Sequence, residues 1–335
     1  MLQIKEITSK KIWDTFLYKT YKDFLPFFQS WEWGEVQHSL SHTVKRFGIY
    51  KNSTLLGVFL STEVNARRGR YIHLRHGPVL EKWEKEIVDF LFDEIKKYGK
   101  KHHFDFIRIS PLVDETKVAF LPFSFASPIH NMDAEICWVL SLDKSEDDIL
   151  KDMRKSHRYL IKKAQSLPIT IRQTINPNDF SLFLPLYKQL AYRKHFVPHS
   201  GVLEELKIFA KENMASLFLA EYEGKIISAA LIDFVGDTAI YRHSASDENF
   251  RNIPAMYFLQ WEVIKEAKKR GMKYYNFWGI APTENVKHPW FGLSLFKKGF
   301  GGEERRFLHA RDIPLSVGYI KAYAVDYLTK LRKGY

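Results

Sequence analysis

The chain runs through one order of secondary elements twice, and few folds accommodate that. From Thr43, TVKRFGIY-KNST-LLGVFLSTEV reads as a β-hairpin, two runs rich in β-branched and aromatic residues around a polar turn. RYIHLRHGPVL follows as a third strand and breaks at Gly77-Pro78. In EKWEKEIVDFLFDEIKKYG, Trp83, Ile87, Phe90, Leu91 and Ile95 recur at helical spacing before Gly99 closes the helix. FDFIRISPL is then a short buried strand. The second half repeats this: SLFLAEY-EGK-IISAALIDFV is a hairpin, DTAIYRHSAS a third strand, and NIPAMYFLQWEVIKEAKKRG a helix with Pro254 in its first turn and Gly271 as its C-terminal cap. KYYNFWGI is the matching strand. Element order carries the duplication, since residue identity between the copies is low. It predicts an α/β (α+β) chain of two similar domains at 1–143 and 144–313, each a mixed, mainly antiparallel sheet flanked by helices. The tail, 314–335, is expected to pack back as a closing helix with Ile320, Ala324, Tyr327 and Leu331 inward.

Between the halves, KSEDDILKDMRKSHRYLIKKAQ is expected to form one helix. Ser145 is its N-cap, acids fill its first turn, and Ile149, Met153, Leu160 and Ala164 share its apolar face. Arg154, Lys155, Arg158, Lys162 and Lys163 make the remainder positive, which suits either a solvated face or one turned to a polyanion. The whole chain carries a net charge of +12, a surplus that favours anionic partners such as RNA, phosphorylated metabolites or anionic lipid. Hydrophobic residues make up 45% of its 335 residues, enough to bury a core, so disorder is excluded. The single cysteine, Cys137, lies in an apolar strand and excludes an internal disulfide framework. No signal peptide is visible and no apolar run approaches the ~20 residues of a membrane span. The expected location is cytoplasmic.

Several chemistries lose their signatures. No phosphate loop, dinucleotide-binding glycine turn or hydrolase elbow occurs. H-E-x-x-H is missing, and His73 and His76 are expected on opposite faces of one strand. No metal site is expected. What remains is a set of cations and aromatics at element ends. Arg75 closes the third strand of the first half, and Tyr241, Arg242 and His243 lie in the matching strand of the second. Arg193 lies in YKQLAYRKHFVPHS, and Lys297 and Lys298 open the glycine run of LFKKGFGGEERRF.

Four segments, FFQSWEWGEVQ, RHGPVL, MRKSHRYLIKKA and LFKKGFGG, occur in an order that resembles the FemABX peptidoglycan-bridge aminoacyltransferases. The resemblance spans roughly residues 25–310. It implies two GNAT-like domains, in agreement with the duplication. It also implies transfer of an amino acid from aminoacyl-tRNA to the side-chain amine of a stem peptide, on UDP-MurNAc-pentapeptide or lipid II. No cofactor is expected beyond aminoacyl-tRNA as co-substrate, and peripheral contact with the inner membrane face is compatible with a lipid-linked acceptor. By this resemblance Phe296 and Lys297 meet the aminoacylated end of the tRNA, with Lys298 and Arg305 also on the RNA. Arg193, with Phe196 in register, contacts precursor phosphate, and Trp33, Arg75, Tyr241 and His243 complete the substrate contacts.

Two departures stand out. Gln37 occupies a position where the family often has a phosphate-binding lysine, and Ser110 one where it often has an acid before proline. The long helical arm of some members is absent. The implied chemistry needs no covalent intermediate, because an aminoacyl ester is already activated; it needs a positioned amine and a stabilised oxyanion. The base stays open among Tyr241, His243 and Asp233. Two other functions compete. One is a GNAT-fold acyltransferase using acyl-CoA on a small amine, against which ENFRNIPAM lacks the expected glycine turn. The other is a non-catalytic RNA-binding relative.

Overall fold

The computed structural model describes residues 1–21, 24–114, 118, 128–129 and 131–333. Contacts divide them into two units. The first comprises Met1–Ile136, Gly279–Gly292 and Arg305–Tyr335, the second Cys137–Trp278 and Leu293–Glu304. Each contains one copy of the repeated motif.

In the first unit, β1 (Leu2–Glu6), β2 (Val44–Lys51), β3 (Thr54–Ala66), β4 (Gly69–His76), β6 (Phe106–Pro111) and β14 (Arg311–Pro314) form a sheet in the order β1-β2-β3-β4-β6-β14. The two-residue β5 (Val79–Leu80) pairs with β3. The predicted hairpin is β2–β3, and β4 extends it antiparallel. β6 then lies parallel to β4, which requires a crossover, and α3 (Lys85–Lys101) supplies it. The buried stripe of α3, Ile87, Val88, Leu91, Phe92 and Ile95, packs on Ile72, Leu74, Ile107 and Ile109 of the sheet. α1 (Lys10–Thr20) and α2 (Trp31–Ser39) precede the hairpin. Ser30 caps α2 by accepting from the Trp33 amide at 3.2 Å.

The closing helix α10 (Tyr319–Lys333) belongs to this unit, but the expected inward face is reversed. Ala322 and Asp326 are buried, whereas Ile320, Tyr327 and Leu331 are exposed. Polar anchoring overrides the apolar stripe: Asp326 pairs with Arg108 at 3.2 Å and Arg68 at 3.0 Å, and the Tyr319 hydroxyl donates to Asp312.

The second unit is centred on β7 (Ile136–Ser141), α4 (Glu146–Asp152), α5 (Lys155–Gln165), β8 (Ile169–Thr174), α6 (Phe180–Lys194), α7 (Val202–Lys211), β9 (Ala215–Tyr222), β10 (Lys225–Val235), β11 (Thr238–Ser246), α8 (Ala255–Lys269), β12 (Tyr274–Gly279), α9 (Phe291–Lys298) and β13 (Glu303–Arg306), of which Ile136, Gly279, Phe291, Gly292, Arg305 and Arg306 count with the first unit. Its sheet runs β13-β7-β12-β11-β10-β9-β8. β9 and β10 are the second predicted hairpin; Glu223 and Gly224 turn it with φ of 51° and 75°, the left-handed pair that matches strand twist. The single helix expected within 144–165 is broken at Met153–Arg154, where the chain is extended. The Arg154 amide donates instead to Gly299 O at 2.9 Å, and the Arg158 guanidinium caps α4 through Lys151 O at 2.8 Å. One cation of the predicted positive face is thereby spent on the backbone.

The copies differ in one respect that bears on function. β4 and β6 stay paired from Tyr71↔Phe106 to His76↔Pro111. β11 and β12 pair only from Thr238↔Tyr274 to Ile240↔Asn276 and then part. The side chain of Asn276 accepts from the Trp278 amide at 2.8 Å, and Trp278 takes φ of 67°, so a local side-chain turn diverts β12 where the pairing ends.

Candidate active site

Beyond that divergence β11 carries Tyr241, Arg242 and His243. β10 opposes Leu231 to His243 and Ile232 to Tyr241, which leaves Arg242 as the extra residue of a bulge. Its guanidinium takes both oxygens of buried Glu205, Nε–Oε1 at 3.1 Å and Nη2–Oε2 at 3.0 Å, and stacks 4.7 Å from the Trp278 ring. His243 Nε2 lies 3.6 Å from Glu205 Oε1, and Asp233 Oδ2 lies 3.6 Å from Arg242 Nε.

Burial opposes ionisation of both acids, with opposite outcomes. For Glu205 the Arg242 and His243 contacts outweigh burial and hold it far below the usual carboxylate range. For Asp233, burial and the neighbouring Glu205 charge push the carboxyl well up, against the opposing charge of Arg242. Burial also raises the Tyr241 phenol to about 12, and its hydroxyl donates to Ser244 Oγ at 2.5 Å. Burial lowers His243, leaving it as the neutral imidazole among the three base candidates.

Phe196 stands on the same side-chain network as His243. Tyr187 of α6 contacts the Phe196 ring at 5.9 Å and the His243 ring at 5.9 Å. Arg193, in the last turn of α6, pairs with Glu248 at 3.3 Å and is about one-third exposed.

The LFKKGFGG stretch is not a flexible loop. Phe296, Lys297 and Lys298 end helix α9, and Gly299 and Phe300 are buried. The glycines serve close packing. A Cβ on Gly299 would lie 1.9 Å from the His157 ring, and one on Gly302, at φ of 95°, 2.3 Å from Val139 O. His157 Nε2 donates to Phe296 O at 2.9 Å, and the Trp138 indole donates to Gly301 O at 2.6 Å. Phe296 packs at 5.1 Å on Tyr257 and 5.2 Å on Phe300; Phe300 touches Phe277, which touches Tyr241. An unbroken aromatic path thus joins Phe296 to the diverging strands. Lys298 lies 5.4 Å over the Trp138 ring.

Lys297 shares the inward face of α9 with Ser294, three residues before it, and is only 5% exposed. Burial pushes its amine down to about 7, against a small opposing effect of Cys137. Such an amine holds or releases a proton at neutral pH, as an exposed lysine cannot.

In the first unit, Arg75 is clamped flat. Its guanidinium lies 3.5 Å over the Phe28 ring and 5.4 Å from buried Trp33, and its Nε donates to Asp133 Oδ1 at 2.7 Å. Asp133 also accepts from Ser110 Oγ at 2.7 Å and lies 3.4 Å from His73 Nε2. Burial disfavours its charge, but Arg75 and His73 overcome this and keep it ionised well below the usual range. His73 and His76 do not diverge as expected: His76 takes φ of 54°, which swings its ring round to donate from Nε2 to Asp133 O at 2.7 Å. Asp133 had no sequence signal. It places a carboxylate beside Ser110, where the sequence lacks one, from a turn distant in the chain. Arg305, on exposed β13, lines a cleft of about 580 Å³ with Tyr21, Trp83 and Phe307 in the first unit. Among the described residues no cluster of three or more His, Cys, Asp or Glu could hold a metal ion.

The FemAB family model matches residues 8–121, 123–202 and 204–324. The chain belongs to the FemAB family. A curated relative, aminoacyltransferase FemA from Staphylococcus aureus (strain MRSA252), is 23% identical over 355 aligned positions, covering 75% of this chain and 81% of that protein. The crystal structure of FemX superimposes with a TM-score of 0.75 at 17% identity, over 93% of this chain and 97% of that one. A tandem GNAT protein from the clavulanic acid biosynthesis pathway gives 0.56 at 10% identity, over 94% and 99%. The fold of this FemAB chain is therefore a tandem of GNAT-like units, as the family resemblance implied and in agreement with the duplicated element order. Among the described residues no helix is long and apolar enough to cross a membrane.

Proposed function

We propose that this chain is an aminoacyltransferase that moves an amino acid from aminoacyl-tRNA to the side-chain amine of a peptidoglycan-precursor stem peptide. Family membership and the FemA relative support the transferase class and the cell-wall acceptor. The observation that carries the chemistry is Lys297, an amine buried on the inner face of α9 and poised near pH 7.

The reaction joins a neutral amine to an ester carbon and releases a ribose hydroxyl. Lys297 has two uses in it. Protonated, it stabilises the oxyanion of the tetrahedral intermediate or delivers a proton to the departing ribose oxygen. The approach of an RNA phosphate raises its pKa, so binding of the tRNA end itself favours the charged form. Phe296 presents a ring edge for the terminal base or the aminoacyl group. The buried Glu205–Arg242 pair braces the bulge of β11 next to His243, the base assigned in this scheme to take the amine proton. In the first unit, Arg75 offers a pre-oriented guanidinium to a precursor phosphate or carboxylate, at little ordering cost because Phe28 and Asp133 already fix it. Arg193 is a second cation for the same class of group. No cofactor enters this scheme.

Acyl-CoA use is disfavoured at the start of α8. Pro254 is its N-cap and the preceding turn has no glycine, so the cradle of backbone amides that a pyrophosphate needs is depleted. The direct test is ester discharge. Mixed charged tRNAs are incubated with the protein, with and without UDP-MurNAc-pentapeptide or lipid II. Acceptor-dependent loss of one aminoacyl ester is expected. Discharge of acetyl-CoA instead, or of no ester with either acceptor, would overturn the reading.

A further inference from the structure

The helix that closes the first unit is assembled inside out. Its buried face is small and polar, consisting of Ala322, Asp326 and the anchored Tyr319, with Asp326 held by Arg68 and Arg108. Its outer face carries Ile320, Tyr327 and Leu331 in register with Ala324, flanked by Val317, Tyr323 and Leu328; all the large apolar ones among these are at least half exposed. The spacing 320, 324, 327, 331 is that of a helix stripe built to be covered. Lys321 and Arg332 border the stripe on one side and Lys330 on the other, all exposed. No carboxylate lies on this outer face; the one acid of the helix is the buried Asp326.

We propose that the outer face of α10 docks on an anionic lipid bilayer, lying in the plane of the headgroups. Apolar side chains enter the acyl boundary, the two tyrosines sit at the interface, and the basic rims meet lipid phosphates. The charge pattern selects this occupant. A symmetric contact between two copies would set basic rims against basic rims, with no acid on the helix to pair them. An RNA would engage the cations and leave the apolar stripe in water. The inference is independent of the transfer reaction.

Full-length protein is sedimented with phosphatidylcholine vesicles with and without phosphatidylglycerol. Binding is expected with the anionic lipid and to be much weaker without it. The double variant Ile320→Asn/Leu331→Asn should lose roughly tenfold or more in partitioning. Lys321→Gln, Lys330→Gln and Arg332→Gln should each lose about fivefold. These positions are exposed, so thermal melting and transfer to a soluble acceptor should be unchanged, which separates failure here from failure of the transferase reading. No binding to anionic vesicles, or equal binding by the apolar double variant, overturns the proposal. So does light scattering that finds a wild-type dimer which that variant dissociates, because a second copy would then cover the face.

Discussion

Replacing Lys297 by methionine should make the protein more stable and less active. The side chain is 5% exposed, and its amine is depressed from 10.5 to about 7 chiefly by burial. A shift of that size corresponds to about 5 kcal/mol of disfavoured charging, as an upper bound. The sign follows from linkage. Between the folded and unfolded pKa values the unfolded chain binds the proton and the folded chain does not, so stability from this group rises as pH goes from about 7 towards 10.5 and is lowest below 7. Methionine has nearly the same length and no charge, so it removes the penalty and keeps the packing. Allowing for relaxation, the gain at pH 6.5 should be about 2–4 kcal/mol, a rise in melting temperature of several degrees for a unit of this size. Its advantage should shrink as the pH is raised to 10, where the wild-type amine is neutral in the folded state. Transfer should fall at least a hundredfold, the scale of a lost oxyanion donor. Paired melts at pH 6.5 and 10 and single-turnover rates test this together. A variant that is less stable, or one equally active, would refute the placement of Lys297 as a desolvated functional amine.

Three further substitutions test the buried acids. Asp233→Asn should cost less than about 1 kcal/mol and leave transfer intact, because burial and the Glu205 charge already oppose ionisation of the carboxyl it replaces. Glu205→Gln should cost about 3–5 kcal/mol, since it strands Arg242; inactive Asp233→Asn with an intact fold would return Asp233 to the role of base. Asp133→Asn should likewise destabilise by a few kcal/mol at neutral pH and weaken acceptor binding through Arg75. The depressed Asp133 carboxyl contributes stability above the ordinary carboxylate pKa, lost as pH falls through its folded value, so the variant's acid-unfolding limb should be shallower in urea titrations at low pH.

The parts of this molecule legible in the sequence are those set by local periodicity. Both hairpins, both crossover helices and both parallel strands lie where the repeated element order puts them, because alternation and helical spacing are properties of neighbouring residues. The misread features were decided by distant partners. Gly299 O draws the Arg154 amide out of a helix that its own sequence would continue. Asp326 turns α10 over, because its pairing with Arg68 and buried Arg108 outweighs an apolar stripe. His76 leaves strand geometry at a single positive φ. Asp133 reaches Ser110 through a turn without a motif. Of the candidate site, Lys297 and His243 stand out in the sequence by residue type and position and Phe296 by the family resemblance, but the burial that moves the Lys297 amine to about 7, and the early parting of β11 from β12, exist only in three dimensions.

The central claim is settled most directly by mass. Wild type and Lys297→Met are incubated with charged tRNAs and either UDP-MurNAc-pentapeptide or lipid II, and the acceptor is weighed and fragmented. Wild type is predicted to add the mass of one amino-acid residue to the stem-peptide side-chain amine, and the variant to add almost none. An acceptor of unchanged mass with both precursors, or an equal gain with the variant, would contradict the account.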